Sequence, residues 1–339
     1  MKLISAAAAI GAALLLVSCS SEELPAADIS STASAIAEAT PVYRFGVGYS
    51  GTGYTAALEQ WRELVLQRTD GDVELQLFGD NMLGEGPDMA RAVQRGTLSI
   101  VASSTSVCTD LVPQAAVMDL PACYSQYIRP FQVYTGEFYQ ALNECYHAQG
   151  LELLFLRTGE GWIISSSQPL TSLSQLNGMR VRTSGSTFHN KLYDTLGIER
   201  LENVGLNGLS YILQEGRVDG IEATCTILDT QNLLSAQSYG LGSLFVMSSA
   251  VTMNQQAFDS LPAEYQQILK ASLHEVLADE QTRLQKSGAQ EHITLTALSD
   301  EDKTRLQIMA QPLMDEIRSI AGDDLLAALE RENTANENL

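Results

Sequence analysis

Three glycines, Gly46, Gly48 and Gly51, fall at the spacing G-x-G-x-x-G, with an extended run (VYRFGV) before them and a helix-like run (YTAALEQWRELVLQR) after. That order is the order of a dinucleotide-binding turn, in which glycines let backbone N–H groups close on a pyrophosphate. The fingerprint also requires an acidic residue at the end of the next strand, about 20 residues on, to hold a ribose. Asp70 and Asp72 have the spacing but precede that strand, and Asp80 lies too far along. No nicotinamide cofactor is therefore expected. The glycines are expected instead to turn the chain off a strand and to offer helix N–H groups to a small ligand.

Hydrolytic and metal chemistry fail at the same level of detail. His274-Glu275 is followed by Ala278 where H-E-x-x-H needs its second ligand, and Gly48-Tyr49-Ser50-Gly51-Thr52 lacks the closing glycine of a nucleophile elbow. Cys145 and His147 stand two apart with no second pair of that kind, and no C-x-x-C occurs, so no zinc site is expected. His147, His189, His274 and His292 read as isolated structural residues. Asp300, Glu301 and Asp302 open a helix, where negative charge suits the dipole. The sequence offers no catalytic set.

The elements that would position a site alternate between strand and helix. Residues 43–48 read as a strand, Tyr54 to Arg68 as an amphipathic helix, VELQLFG as a second strand, DMARAVQRG as a helix and LSIVAS as a third strand. LELLFLR and GWIISSS read as two strands, LTSLSQLNG as a short helix, MRVRTS as a strand, STFHNKLYDTLG and LSYILQEG as helices, VDGIEAT and SAVTMN as strands. A helical tail follows, with Pro262 in a first turn where its missing N–H costs nothing. Such alternation predicts a mainly parallel sheet with covered faces.

Composition narrows the partners. The formal charge is −21, from 41 acidic and 20 basic residues, only five of them Lys. A surface of that sign repels nucleic acid and anionic lipid alike. The N-terminus carries Lys2, then the apolar run ISAAAAIGAALLLV, then Leu16-Val17-Ser18-Cys19, which resembles a bacterial lipobox. Residues 1–18 are thus read as an export signal. The resemblance implies cleavage before Cys19 and a lipid on its sulfur; an ordinary cleaved signal is the alternative. Residues 19–41 read as a polar tether. The expected location is extracytoplasmic, at a membrane surface. In such a compartment Cys108, Cys123, Cys145 and Cys225 could form one or two disulfides.

One region carries a family likeness. Pro169-Leu-Thr-Ser172-Leu-Ser-Gln-Leu176-Asn-Gly178-Met-Arg180-Val-Arg182, followed by Leu213-Gln214-Glu215-Gly216-Arg217-Val218-Asp219-Gly220-Ile221-Glu222, resembles the TRAP transporter substrate-binding proteins of the DctP type. Weaker features stand in the same order: Leu83-Gly84-Glu85, Val93 to Gly96, Asp119-Leu120-Pro121, Met253-Asn254 and Leu261 to Gln266. The likeness spans about residues 42 to 290.

The resemblance implies a type II periplasmic-binding-protein fold: two α/β lobes joined by hinge strands, with a cleft between them and a helical C-terminus. Lobe I would comprise 42–159, completed by about 249–288; lobe II would comprise 160–248, completed by about 289–336. It implies a receptor, not an enzyme, that binds a small organic acid and passes it to a TRAP-type, ion-gradient-driven permease. Arg182 is the implied carboxylate grip, and its planar fork suits that task. Arg180, on the other face of the strand, is expected in a surface salt bridge. Many acid-binding members carry a second Arg where this chain has Trp162, and Asn often follows the residue matching Glu222, where Ala223 stands. Trp162 could stack on an apolar or aromatic monocarboxylate, hold a cation, or merely pack at the hinge. Tyr49, Ser50, Ser103, Ser104, Glu85 and Asn207 are further wall candidates from strand and helix ends, and Glu222 is expected to line the cleft or brace a hinge. Rival readings are a receptor for an amine or neutral solute serving another transporter or a chemosensor, and a tethered enzyme on the same fold.

Overall fold

The computed structural model describes residues 43–49, 55–79, 81–286 and 288–336. The signal, the tether, Cys19, Ser50 and Gly51 lie outside the described residues.

Nine strands form one sheet: β1 (Tyr43–Tyr49), β2 (Val73–Phe78), β3 (Ile100–Ser104), β4 (Leu151–Ser166), β5 (Arg180–Arg182), β6 (Glu199–Leu201), β7 (Gly220–Ala223), β8 (Tyr239–Asn254) and β9 (Thr294–Thr296). Their spatial order is β2-β1-β3-β8-β4-β7-β5-β6, with β9 beside β8. The outer neighbours pair in parallel: β1 with β2 and β3, and β5 with β6 and β7. The centre is antiparallel, because β8 runs against both β3 and β4, and β4 against β7. The expectation of a mainly parallel sheet holds for the two ends and fails in the middle.

The reason lies in two strands longer than the sequence pattern predicts. LELLFLR and GWIISSS are one 16-residue strand, β4, and SAVTMN is only the second half of β8, also 16 residues long. The gap between the two runs, residues 158–160, is instead a register shift between Thr158 and Gly161, where the ladder bends and continues. At Gly161 a Cβ would lie 1.8 Å from Ser243 Oγ, so this close approach admits only glycine.

The helices are α1 (Thr55–Arg68), α2 (Gly86–Gln94), α3 (Glu137–His147), α4 (Thr187–Thr195), α5 (Leu209–Gln214), α6 (Cys225–Thr230), α7 (Gln255–Asp259), α8 (Ala263–Gln285), α9 (Asp300–Ala321) and α10 (Asp323–Asn336). α1 buries Ala57, Leu58, Trp61 and Val65, and α8 packs against it; the Trp61 indole donates to the Leu269 carbonyl at 3.0 Å. α9 meets both α4 and the short helical segment Pro113–Asp119, while α10 packs on α3. No described helix is long and apolar enough to cross a membrane.

The glycine-rich opening of β1 does not turn. Gly46 and Gly48 are ordinary strand positions, and their missing Cβ atoms make room for Leu98 and Met89; at Gly48 a Cβ would come within 2.7 Å of Met89 Sδ. The cysteines also depart from the bridged possibility. Cys108, Cys123, Cys145 and Cys225 are all unpaired, and the buried pair, Cys108 and Cys225, sit in separate apolar clusters.

Candidate functional site

A cavity of about 560 Å3 opens at the carboxyl ends of β3 and β5, beside the middle of β4. One wall comes from the segment 81–87, which leads into α2, and from the turn 104–110 that leaves β3. The facing wall comes from Arg182, the segment 184–187 that enters α4, His189, and the turn 205–207 before α5. Trp162 of β4 stands between them. Ligands of open α/β sheets sit at strand ends of this kind.

β5 is short, and its alternation places Val181 in the core between an exposed Arg180 and an enclosed Arg182. Arg180 is held in a surface pair with Asp219, Nη2 to Oδ1 at 2.6 Å. Arg182 is only 7 % exposed, yet no described carboxylate lies within ion-pair distance of it. Its Nε and Nη2 both donate to the Val204 carbonyl, at 2.9 and 2.7 Å, which fixes the plane of the fork and leaves the rest of the guanidinium to the cavity. Burial pushes its pKa down, and the nearby charge of Glu222 opposes that.

Behind this wall lies a charged cluster. Glu222 of β7 is fully enclosed. Its carboxylate accepts from His189 Nδ1 at 2.6 Å, from the Tyr193 hydroxyl at 2.7 Å and from the Ser184 backbone N–H. Burial works to raise its pKa, but the charge of His189 and these donors outweigh it and hold the carboxyl below its usual range. His189 is 3 % exposed and stacks on Phe245 with ring centroids 3.7 Å apart; Trp162 meets it edge-on at 6.2 Å. Burial alone would lower the imidazole pKa; Glu222 first and Asp119 second reverse that and raise it. Among the described residues His189 Nε2 has no hydrogen-bond partner, and Asp119 Oδ1 stands 3.8 Å from it. The other Asp119 oxygen accepts from the Ser186 hydroxyl at 3.1 Å. Burial raises the Asp119 pKa, with Glu222 adding to the effect.

The positions expected from sequence divide into three groups. Arg182, Trp162, Asn207, Ser104 and Glu85 all line the cavity. Ser103, Tyr49 and Glu222 do not. Ser103 is turned inward with its hydroxyl on the Ser104 carbonyl, because strand alternation sends it to the face opposite Ser104. Tyr49 is buried with its ring against Gly79. Glu222 stands behind the wall, where it fixes the Ser184 backbone and the His189 ring. Ser50 lies outside the described residues. The sequence reading missed the segment 184–187, Asp110, Gln231 and above all His189. The run Ser184-Gly185-Ser186, one residue beyond Arg182, was the available signal for the first; nothing local marked His189.

Comparison with known proteins places this geometry. Residues 47–319 match the family model of the DctP type, described as bacterial extracellular solute-binding protein, family 7. The chain belongs to this family. The C4-dicarboxylate-binding periplasmic protein of Rhodobacter capsulatus is 25% identical over 283 residues, covering 80% of this chain and 84% of that one. The 2,3-diketo-L-gulonate-binding periplasmic protein of Escherichia coli is 24% identical over 240 residues, covering 68% and 71%. A TRAP periplasmic solute-binding protein from Desulfovibrio salexigens, solved with orotic acid, superposes with a TM-score of 0.74 at 22% identity, covering 86% of this chain and 99% of that one. The fold is thus that of the TRAP periplasmic binding proteins, with two α/β lobes joined through β4 and β8. The family is one of extracytoplasmic solute receptors rather than enzymes, and its members work with TRAP permeases.

Proposed function

We propose that this chain captures a small organic acid, in the first instance a monocarboxylate with an apolar or aromatic body, and delivers it to a TRAP-type permease. The observation that carries the reading is Arg182: an enclosed guanidinium, oriented by Val204, that faces the cavity and is paired with no carboxylate among the described residues. A buried cation without a counter-ion is costly unless a ligand supplies one. Trp162 offers an apolar face beside it, Asn207 and Ser104 offer hydrogen bonds, and Glu85 and Asp110 disfavour further negative charge at the mouth. The three relatives named above are each described by an acid they bind, which supports the class but not the member.

Capture would follow from ligand touching both walls and so favouring the closed arrangement. We take 42–159 with about 249–288 as one lobe and 160–248 with about 289–336 as the other; α9 meets both, through Pro113–Asp119 and α4, while α10 packs on α3 of the first. Anchoring through a lipid on Cys19 would keep the receptor near its permease. The direct test is native mass spectrometry of the exported protein, with Cys19 replaced, to identify what co-purifies. A carboxylic acid is expected; an amine or a neutral solute would overturn the assignment of Arg182. Mass analysis of the mature N-terminus of the native chain should show a diacylated Cys19.

A further inference from the structure

His189 lines the cavity, is more than nine-tenths buried, and carries a ring nitrogen with no hydrogen-bond partner among the described residues. Its surroundings are defined on every side. β7 presents Glu222, which takes the Nδ1 proton, and the segment before Leu120 presents Asp119 toward Nε2. β4 and β8 present the uncharged rings of Trp162 and Phe245, and its own helix presents the Tyr193 hydroxyl, bonded to Glu222. α9 contributes Glu316, but that carboxylate is paired with Lys191 on the exposed side of α4. β5 contributes Arg182, which feels Glu222 as well. Arg182 is the one Lys or Arg side chain among the described residues that line this cavity.

A neutral imidazole fits these surroundings badly. Its one proton would be committed to Glu222, leaving the Nε2 lone pair facing Asp119. A doubly protonated ring places a cation between two carboxylates and turns Nε2 into a donor. We propose that His189 is the second cation of this site, and that its proton makes the hold on an anionic solute depend on pH. The inference rests on the acid-binding reading and extends it. Arg182 supplies a charge that never titrates, and His189 supplies one that does. The affinity gained from His189 is complete in acid and is lost as pH rises through the raised pKa of the folded protein. Loss of that proton also leaves Glu222 and Asp119 without their cation, and those two groups hold Ser184 and Ser186, the wall next to Arg182.

Fluorescence quenching by iodide tests this without knowledge of the solute. The chain has two Trp, and Trp61 is fully enclosed, so Trp162 reports the cavity. Iodide senses local positive charge and acrylamide, being neutral, senses access alone. Between pH 5.5 and 9.5 three thiols stay silent, since burial lifts Cys108 and Cys225 to about 11 and Cys123 to about 12, and burial raises Cys145 as well. The iodide-to-acrylamide ratio is expected to fall roughly threefold as pH rises, the effect of one charge at this range in a hydrated cleft. In His189→Gln it should be low and flat. A flat ratio in the wild type, or the same slope in His189→Gln, overturns the proposal. The wild-type profile decides the matter even if the variant folds poorly. An amine found by mass spectrometry would sink the acid reading and leave this titration standing, so the two failures can be told apart.

Discussion

Two buried arginines in this molecule live in opposite circumstances. Arg157, on β4 near the bend, is 3 % exposed, pairs with Glu280 of α8 at 2.7 Å and donates to Ser249 Oγ and the Leu277 carbonyl. Arg182, on β5, is enclosed almost as fully and has one carbonyl. The first charge is answered from within the chain and ties a central strand to a helix. The second is answered for geometry but not for charge. Under the proposed function the contrast separates a structural arginine from a receptive one: burial is common to both, and only the first is paired with a carboxylate among the described residues.

The comparison can be broken at its structural member first. Arg157→Leu strands the Glu280 carboxylate, whose pKa burial already raises. Unfolding by urea should show a loss of about 3–5 kcal/mol, the range for a buried pair deprived of one partner. Retention of wild-type stability would mean that Glu280 takes up a proton at little cost. Arg182→Ala should sharpen the contrast: binding of the co-purifying acid, by calorimetry, weakens by about 2–5 kcal/mol while unfolding stability is held or improved. A large stability loss there would place Arg182 with Arg157 as scaffold. Smallest is Arg180→Ala, which removes an exposed pair; neither the midpoint of unfolding nor binding should move measurably.

Much of this was legible in the residues. The alternation R-V-R around Val181 puts its two arginines on opposite faces, and the resemblance to the DctP-type receptors is what assigned Arg182 to the cleft. What stayed hidden was long-range. β4 and β8 are 16 residues each and lie side by side at the centre of the sheet, but Gly159 and Gly161 look like punctuation when read locally. They are a bend that only pairing with β8 reveals. His189 sits on an ordinary amphipathic helix, and its partners Glu222 and Asp119 lie 33 and 70 positions away in sequence, a separation no local pattern spans. Glu222 was expected either on the wall or bracing a hinge; the fold puts it one layer back, where its oxygens organise the wall.

The long β4–β8 ladder, which persists through its register shifts, has a mechanical consequence. A pair of hydrogen-bonded strands twists easily and stretches hardly at all, because twist tilts the amide bonds whereas extension breaks them. Under the proposed two-lobe function, relative motion of the sheet's two ends would pass through this ribbon as a rotation that preserves amide pairing. Opening then exposes no orphaned backbone group and requires no loop to melt, and hydrogen exchange along Leu151–Ser166 and Tyr239–Asn254 should stay slow with or without solute. The joint works like a torsion bar: what varies is the angle, and the material of the hinge is never unmade.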